Sequence, residues 1–506
     1  MAAVLTGVSE SAVAGAVEAF VEALGAEAVL TSEDDLREYR DPYDFKGSDE
    51  YTASAVVVPR SVEDVQAVVR IANEFGVPLW TFGQGRNNAY GGAAPRVKRS
   101  ILVSLREMNR VLEVNEELAY ALVEPGVRFF DLHDHLLAGG YKLWPSIPDI
   151  GWGSVVGNTL EYGRGYTNYG EHPATACGFE VVLANGELLR TGMGGMSNSK
   201  TWNAYPWSFG PNHAGLFFQS NFGIVTKMGV WLMPQPEVYL SGWARFLDDD
   251  AVGPLADTVR DLMLEGTIRN LPLVAHGLSV EGEMDLDAEG WGLRFALYGR
   301  EAIVDAQYEI VRAALEAIPG VEVGRRLFRW EERANAVNHN DKVQGGVPGM
   351  ELMDVFMIPY GEETGHLDLS LVGPLVGKDL VESISTLRSL YARTEFPYLV
   401  GILLIQRSVL HISTLFFDTK DERQTRAAYD TYASLAREMA ELGYPVYRTN
   451  IQHMDVVADM FDFNNHAQRR LNELLKDTLD PNGVLSPGKQ GIWPKSMRDS
   501  AGEAKA

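Results

Sequence analysis

The apolar and polar positions of this chain follow two regimes that change near Gln235. Residues Ala53–Pro59 (ASAVVVP) form a continuous apolar run, the pattern of a strand buried on both faces. Ser61 then stands where a helix cap is needed, with Asp64 at the third helical position. Val65, Val68, Val69 and Ala72 recur at i, i+3, i+4 and i+7, so they share one helix face. Gly76 ends that helix, and Val77–Trp80 predicts a second strand. The result is a strand–helix–strand unit with a loop at a strand end. Further strands are predicted over Ser100–Leu105, Tyr120–Val123 and within Gln219–Pro234, and a helix over Phe129–Leu137. Phe179–Gly194 reads as a hairpin turning at Asn185-Gly186. Beyond Gln235 long helical periods appear at Ala251–Met263, Ala302–Ile318, Asp379–Arg393 and Asp421–Leu442. Strands such as His366–Leu371 and Ser408–Phe417 separate them, an α+β pattern that predicts a second domain. Pro494–Ala506 is charged and without a period, and is expected to be a frayed tail.

The second predicted strand runs into Trp80–Pro95 (WTFGQGRNNAYGGAAP), which holds Gly83, Gly85, Gly91 and Gly92. Glycine lets backbone N–H groups turn inward and approach a ligand closely. Such a concavity suits a pyrophosphate, and Arg86 and Asn87 add donors. The pattern alone fits equally an ordinary glycine-rich surface loop. A Rossmann fingerprint needs a helix directly after its glycines. Here Ala93-Ala94-Pro95 follows, so a dinucleotide on this loop implies a different fold.

The 506 residues carry 69 acids against 44 bases, a net charge of −25. Such a surface repels nucleic acid and anionic membranes. Cys177 is the single cysteine, which excludes an internal disulfide and a cysteine metal cluster. The N-terminus has no basic stretch before an apolar one, and no run reaches eighteen apolar residues, so a cytoplasmic protein is expected. His133 and His135 lie two apart on a predicted helix and point to different sides. The clusters around His339 and His466 also lack ligand spacing, and no metal site is expected.

Seven motifs, in order, carry a resemblance. They are Gly85–Pro95 (GRNNAYGGAAP), Pro148–Asn158 (PDIGWGSVVGN), Gly165–His172 (GYTNYGEH), Glu180–Gly194 (EVVLANGELLRTGMG), Gln219–Pro234 (QSNFGIVTKMGVWLMP), Val446–Asn450 (VYRTN) and Asp480–Ile492 (DPNGVLSPGKQGI). With them the chain resembles the flavoprotein family of vanillyl-alcohol oxidase, eugenol oxidase and p-cresol methylhydroxylase, from Ala55 to Ile492. The resemblance implies an α+β protein. A p-cresol-methylhydroxylase-type FAD-binding domain of two α/β subdomains is expected over residues 1–235. An α+β cap domain with an antiparallel sheet is expected over 236–445, and a C-terminal return segment over 446–506. FAD is the implied cofactor. The implied partners are a small phenolic substrate and O₂, in a homodimer or higher homo-oligomer.

The resemblance also implies roles for single residues. Tyr90, Tyr447 and Arg448 match the positions that hold the phenolic oxygen. Asp149 matches the carboxylate near flavin N5 and the reacting carbon, and Tyr166 a further pocket tyrosine. Phe82, Gly83, Gln84, Gly85, Arg86, Asn87, Ser154, Gly157, Asn158, Gly223, Val225 and Arg448 fall at cofactor-binding positions. Lys489 matches the basic residue near the pyrimidine end of the flavin. His366 aligns with the histidine that bonds covalently to the flavin. On a strand, His366, Asp368 and Ser370 share one face, which meets either solvent or a ligand. Asp368 and Tyr169 are assigned to the substrate pocket.

The chain departs from the family at Asp368-Leu369-Ser370, at Leu410-His411 and at Tyr162. Asp368 is expected to favour a hydroxyl or amine on the para side chain. The expected activity is oxidation of para-substituted phenols of the vanillyl-alcohol or eugenol kind. A hydride leaves the benzylic carbon for flavin N5, a quinone methide forms, and O₂ becomes H₂O₂. The alternatives are a dehydrogenase that passes electrons to a cytochrome-type partner and a binding protein that has lost catalysis.

Overall fold

The computed structural model of the protein describes residues 8–43, 51–276, 290–330, 332, 336 and 338–498. The first predicted unit forms as read. The strand Ala55–Val57 is buried on both faces and leads into the helix Val62–Phe75. Ser61 and Asp64 close a reciprocal capping box, and Gly76 ends the helix in the left-handed region at φ 65°. The face made by Val65, Val68, Val69 and Ala72 is fully buried. Each buried valine there contributes about 1.5–3 kcal/mol.

This unit belongs to a four-stranded sheet in which Ala55–Val57 and Leu79–Phe82 both run parallel to Ile101–Ser104. The short strand Val29–Leu30 adds antiparallel at the other edge. A second, five-stranded sheet is antiparallel throughout and contains Tyr120–Val123, Gly223–Trp231 and the hairpin Ala176–Leu183 with Leu188–Arg190. The hairpin turns at Gly186 with φ 79°, where the Asn-Gly pair predicts it. These two sheets are the two expected subdomains of the first domain.

The third large sheet has eight antiparallel strands and carries the helices Val252–Leu264, Glu301–Glu316, Gly377–Tyr391 and Glu422–Glu441. Its last strand is Val446–Arg448, which pairs with Thr364–Pro374. The cap sheet therefore continues past the expected boundary at 445, because the Ser370–Arg448 pairing satisfies backbone groups that the chain would otherwise leave open. After it the chain returns to the first domain. Leu79 bonds Val484 and Ser486 through the backbone at 2.7 and 2.8 Å, and Val484 and Leu485 enter the first core. The expected tail is structured as far as residue 498, with a short helical turn at Lys495–Met497; its last eight residues lie outside the described part.

Candidate functional site

The glycine-rich loop follows the strand Leu79–Phe82 and forms one wall of a cavity of about 520 Å³. Gly85 has φ 64°, a region closed to most side chains. A Cβ on Gly83 would stand 2.7 Å from Ser154 Oγ and 2.8 Å from the Pro125 carbonyl oxygen. The loop is thus as narrow as its glycines allow. Asn450 Nδ2 donates to the Ala89 carbonyl at 3.2 Å, which ties the loop to the return segment.

Nearly all residues expected at the site line this cavity. Phe82, Gly83, Gln84, Gly85, Arg86 and Asn87 come from the loop, and Ser154, Gly157 and Asn158 from the segment around the helix Val155–Leu160. Gly223 and Val225 come from the second sheet, and Tyr90, Asp149, Tyr166, His366, Asp368, Tyr447, Arg448 and Lys489 complete the set. Ser154 Oγ donates to the Pro125 carbonyl and accepts from the Gly157 amide, so it shapes the wall. Tyr169 is the exception. It packs instead against the aromatic cluster of Trp144 and Tyr239, because the tight turn at Gly170 directs it away from the cavity.

The cavity offers a ligand open polar atoms in its wall. Thr81 Oγ1 and Asn221 Oδ1 are buried in its wall without a protein partner. Buried polar atoms are normally hydrogen-bonded, so these two are open to a ligand. Gly153 also lines it, and a Cβ there would meet nothing within 4 Å. Lys489 pairs with Glu161, and Gln490 Nε2 reaches the same carboxylate at 3.2 Å. These features fit a dinucleotide laid along the first domain with its reactive end under the cap.

At the cap end three clusters meet the cavity. The first centres on Asp149. Its Oδ1 accepts from Arg294 at 2.7 Å and from His339 Nε2 at 2.8 Å, and its Oδ2 accepts from the Tyr166 hydroxyl. Burial alone would raise the Asp149 carboxyl; Arg294, His339 and Tyr166 outweigh it and hold the group well below the usual carboxylate range. The Arg294 guanidinium stacks on Tyr166 at 3.9 Å and also bonds Asn340. Arg294 and His339 are cavity residues that the sequence reading did not place there. His339 instead spends its Nε2 on the Asp149 carboxylate. No local pattern links His339 to Asp149; the signal is a long-range hydrogen bond.

The second cluster holds Tyr90, Tyr447 and Arg448. The Arg448 guanidinium lies 4.5 Å over the Tyr90 ring, and the Tyr90 hydroxyl bonds Ser370 Oγ at 3.1 Å. Burial, then Asp368, push Tyr90 well above its ordinary value, so it remains a hydrogen-bond donor. Burial would lower Arg448, but Tyr90, Tyr447 and Glu161 raise it, so it keeps its charge. Gln219 Nε2 donates to the Tyr447 carbonyl at 2.9 Å and steadies that strand.

The third cluster is His366. It is buried, packs at a tilt against the Phe356 ring with centroids 4.6 Å apart, and bonds the Tyr43 hydroxyl through Nδ1 at 2.8 Å. Burial lowers its basicity, so the ring is neutral near pH 7. The alternative of a solvent-facing polar strand face is excluded: Leu367, Leu369 and Leu371 bury one face in the cap core, and the other faces the cavity.

Residues 53–192 match the FAD binding domain family. The 4-cresol dehydrogenase [hydroxylating] flavoprotein subunit of Pseudomonas putida is 31% identical, over 96% of this chain and 97% of that protein. The solved structure of 4-ethylphenol oxidase from Gulosibacter chungangensis in an isoeugenol complex is 36% identical, with a TM-score of 0.90 over 97% of this chain and 99% of that one. The structure of p-cresol methylhydroxylase with substrate bound is 31% identical, with a TM-score of 0.88 over 96% and 98%.

Proposed function

The chain belongs to the p-cresol methylhydroxylase and vanillyl-alcohol oxidase family of phenol-oxidising flavoproteins and binds FAD, and from that premise we propose that it oxidises para-substituted phenols at the benzylic carbon with O₂ as the acceptor. The observation that carries this reading is the convergence of Tyr90, Tyr447 and Arg448 on one wall of the cavity that also holds the Asp149 cluster. When bound, FAD supplies the acceptor for a hydride.

The protein's own residues set up that step. Tyr90, Tyr447 and Arg448 bind the phenolic oxygen as phenolate, whose electron release makes hydride loss from the para carbon feasible. Asp149 is a fixed anion rather than a proton acceptor. Both of its oxygens already accept hydrogen bonds, and its partners hold it ionised. Stabilising positive charge that develops at the reacting centre therefore fits it better than activating water. His366 bonds covalently to the flavin. Tyr43 occupies Nδ1, which leaves Nε2 as the bonding nitrogen.

The second reading, a dehydrogenase that hands electrons to a protein partner, is favoured by one observation: the Pseudomonas putida relative is named as a flavoprotein subunit. One experiment separates the two. The enzyme is reduced anaerobically with 4-ethylphenol and mixed with air-saturated buffer. Rapid return of the flavin absorbance with H₂O₂ release is the expected result. Reoxidation over minutes, accelerated by an added cytochrome, would favour the dehydrogenase. Absence of reduction by any para-substituted phenol would overturn both.

A further inference from the structure

Among the described residues, three carboxylates line the cavity: Asp149, Glu161 and Asp368. Asp149 is matched by Arg294 and His339, and Glu161 by Lys489. Asp368 forms no ion pair with a described lysine or arginine. Its side-chain bond is to Thr414, whose Oγ1 donates to Oδ1 at 2.8 Å. Oδ2 is left for a ligand. A carboxylate set in a cavity wall is costly unless that position is filled by a donor.

The strand fixes which part of a ligand Asp368 meets. His366, Asp368 and Ser370 alternate onto the cavity face of Thr364–Pro374. Ser370 Oγ bonds the Tyr90 hydroxyl, and Ser370 is the register partner of Arg448. Asp368 is therefore one pleat from the cluster that holds the phenolic oxygen. Its electrostatic effect on Tyr90 agrees with that closeness. The para carbon is assigned to the separate Asp149 cluster. In this reading Asp368 faces the phenolic end of a ligand and not the para side chain.

We propose that Asp368 accepts a hydrogen bond from a hydroxyl on the ring carbon next to the phenolic oxygen, so that the site selects catechol-type rings over ortho-methoxyphenols. The inference rests on the phenol-binding reading above. A carboxylate only accepts hydrogen bonds. An ortho hydroxyl donates to it, whereas an ortho methoxy group sets lone pairs against lone pairs and leaves Oδ2 unpaired.

The test uses binding, so that it stands apart from turnover. Catechol and 2-methoxyphenol have no para carbon substituent to oxidise. Each is titrated into the flavin-loaded enzyme, and binding is read from the perturbed flavin absorbance. Catechol is expected to bind tighter by about ten-fold or more, the size of one hydrogen bond to a charged group. In Asp368→Asn the gap closes to about two-fold, because the amide N–H₂ donates to the methoxy oxygen as well. Thr414→Val, which frees Oδ1, keeps the catechol preference. Equal or tighter binding of 2-methoxyphenol to the wild type overturns the proposal, even if neither variant folds. So does binding of neither compound, or a gap that survives Asp368→Asn. Turnover of 4-ethylphenol is measured separately. Its absence with the catechol preference intact would overturn the oxidation reading and leave the subsite.

Discussion

Arg294, on a central strand of the cap sheet, donates to Asp149 Oδ1 at 2.7 Å across the boundary between the two domains. The pair is largely dry, with the Arg294 side chain 4% and the Asp149 side chain 20% exposed. Gly151, two residues past Asp149, donates its amide to the carbonyl of Gly349, in the cap just after the helix that holds His339, at 2.9 Å. The carboxylate is therefore placed by the docking of the cap, and its charge depends on a residue that the cap supplies.

Arg294→Leu should lower both stability and the rate of flavin reduction. Removing one partner of a buried pair costs about 3–5 kcal/mol. Loss of one preorganised charge at a reacting centre slows the chemistry on the order of a hundred-fold. The sign of the pH effect follows from the depressed Asp149 carboxyl. Its stabilising contribution is fully present above the unfolded carboxylate value of about 3.9 and is lost as pH falls below it. In Arg294→Leu the folded value moves up toward the unfolded one, so this contribution shrinks and less stability is lost on acidification than in the wild type. Thermal unfolding from pH 3 to 7 and stopped-flow flavin reduction measure both effects. A variant with wild-type values in both would make the pair a bystander.

His366 should hold the flavin through acid denaturation. The wild-type pellet is expected to be yellow. His366→Ala should leave a colourless pellet with all flavin in the supernatant. Tyr43→Phe removes the bond to Nδ1, frees the ring to turn, and should leave a fraction of the flavin unattached. A colourless wild-type pellet would remove the covalent link.

Arg448 should carry most of the phenol's ionisation. A simple phenol has a pKa of about 10, so ionisation at pH 7 needs roughly 3 units, or about 4 kcal/mol. Each hydrogen bond to a charged group contributes roughly 1.5–3 kcal/mol. Two tyrosine donors and a guanidinium meet that requirement, and a single neutral donor does not. Difference spectra of a bound, unreactive phenol should show a phenolate band in the wild type and none in Arg448→Leu. The pH optimum of flavin reduction in that variant should move upward. Neutral phenol bound in both proteins would refute the phenolate mechanism.

Gly83→Ala should weaken FAD retention. Its Cβ would press on Ser154 Oγ and on a backbone carbonyl that has little room to move. Overpacking of this kind costs about 1–3 kcal/mol. The ratio of flavin to protein absorbance after purification should fall, with secondary structure by circular dichroism unchanged. An unaltered ratio would mean that the loop has slack.

Much of this protein was legible in the chain itself. The helix that follows Ser61 is fixed by a cap, a four-residue apolar stripe and a terminating glycine, all within one short stretch. Such features act between neighbours, so they survive as patterns. The glycine loop and the Val446–Asn450 motif were legible for the same reason: each presents several cavity residues from one short segment. Tertiary structure alone decided three things. It brought Arg294 and His339, 145 and 190 residues away, onto Asp149, whose carboxylate accepts a hydrogen bond from each. It sent Tyr169 into an aromatic cluster, although the chain around it reads like the pocket segment that holds Tyr166. It set Asp368 one pleat from Ser370, whose hydroxyl bonds Tyr90. The physical reason is common to all three. Period and propensity determine which face a residue occupies on its own element, but a charge at a domain boundary takes its state from whichever group the other domain docks against it.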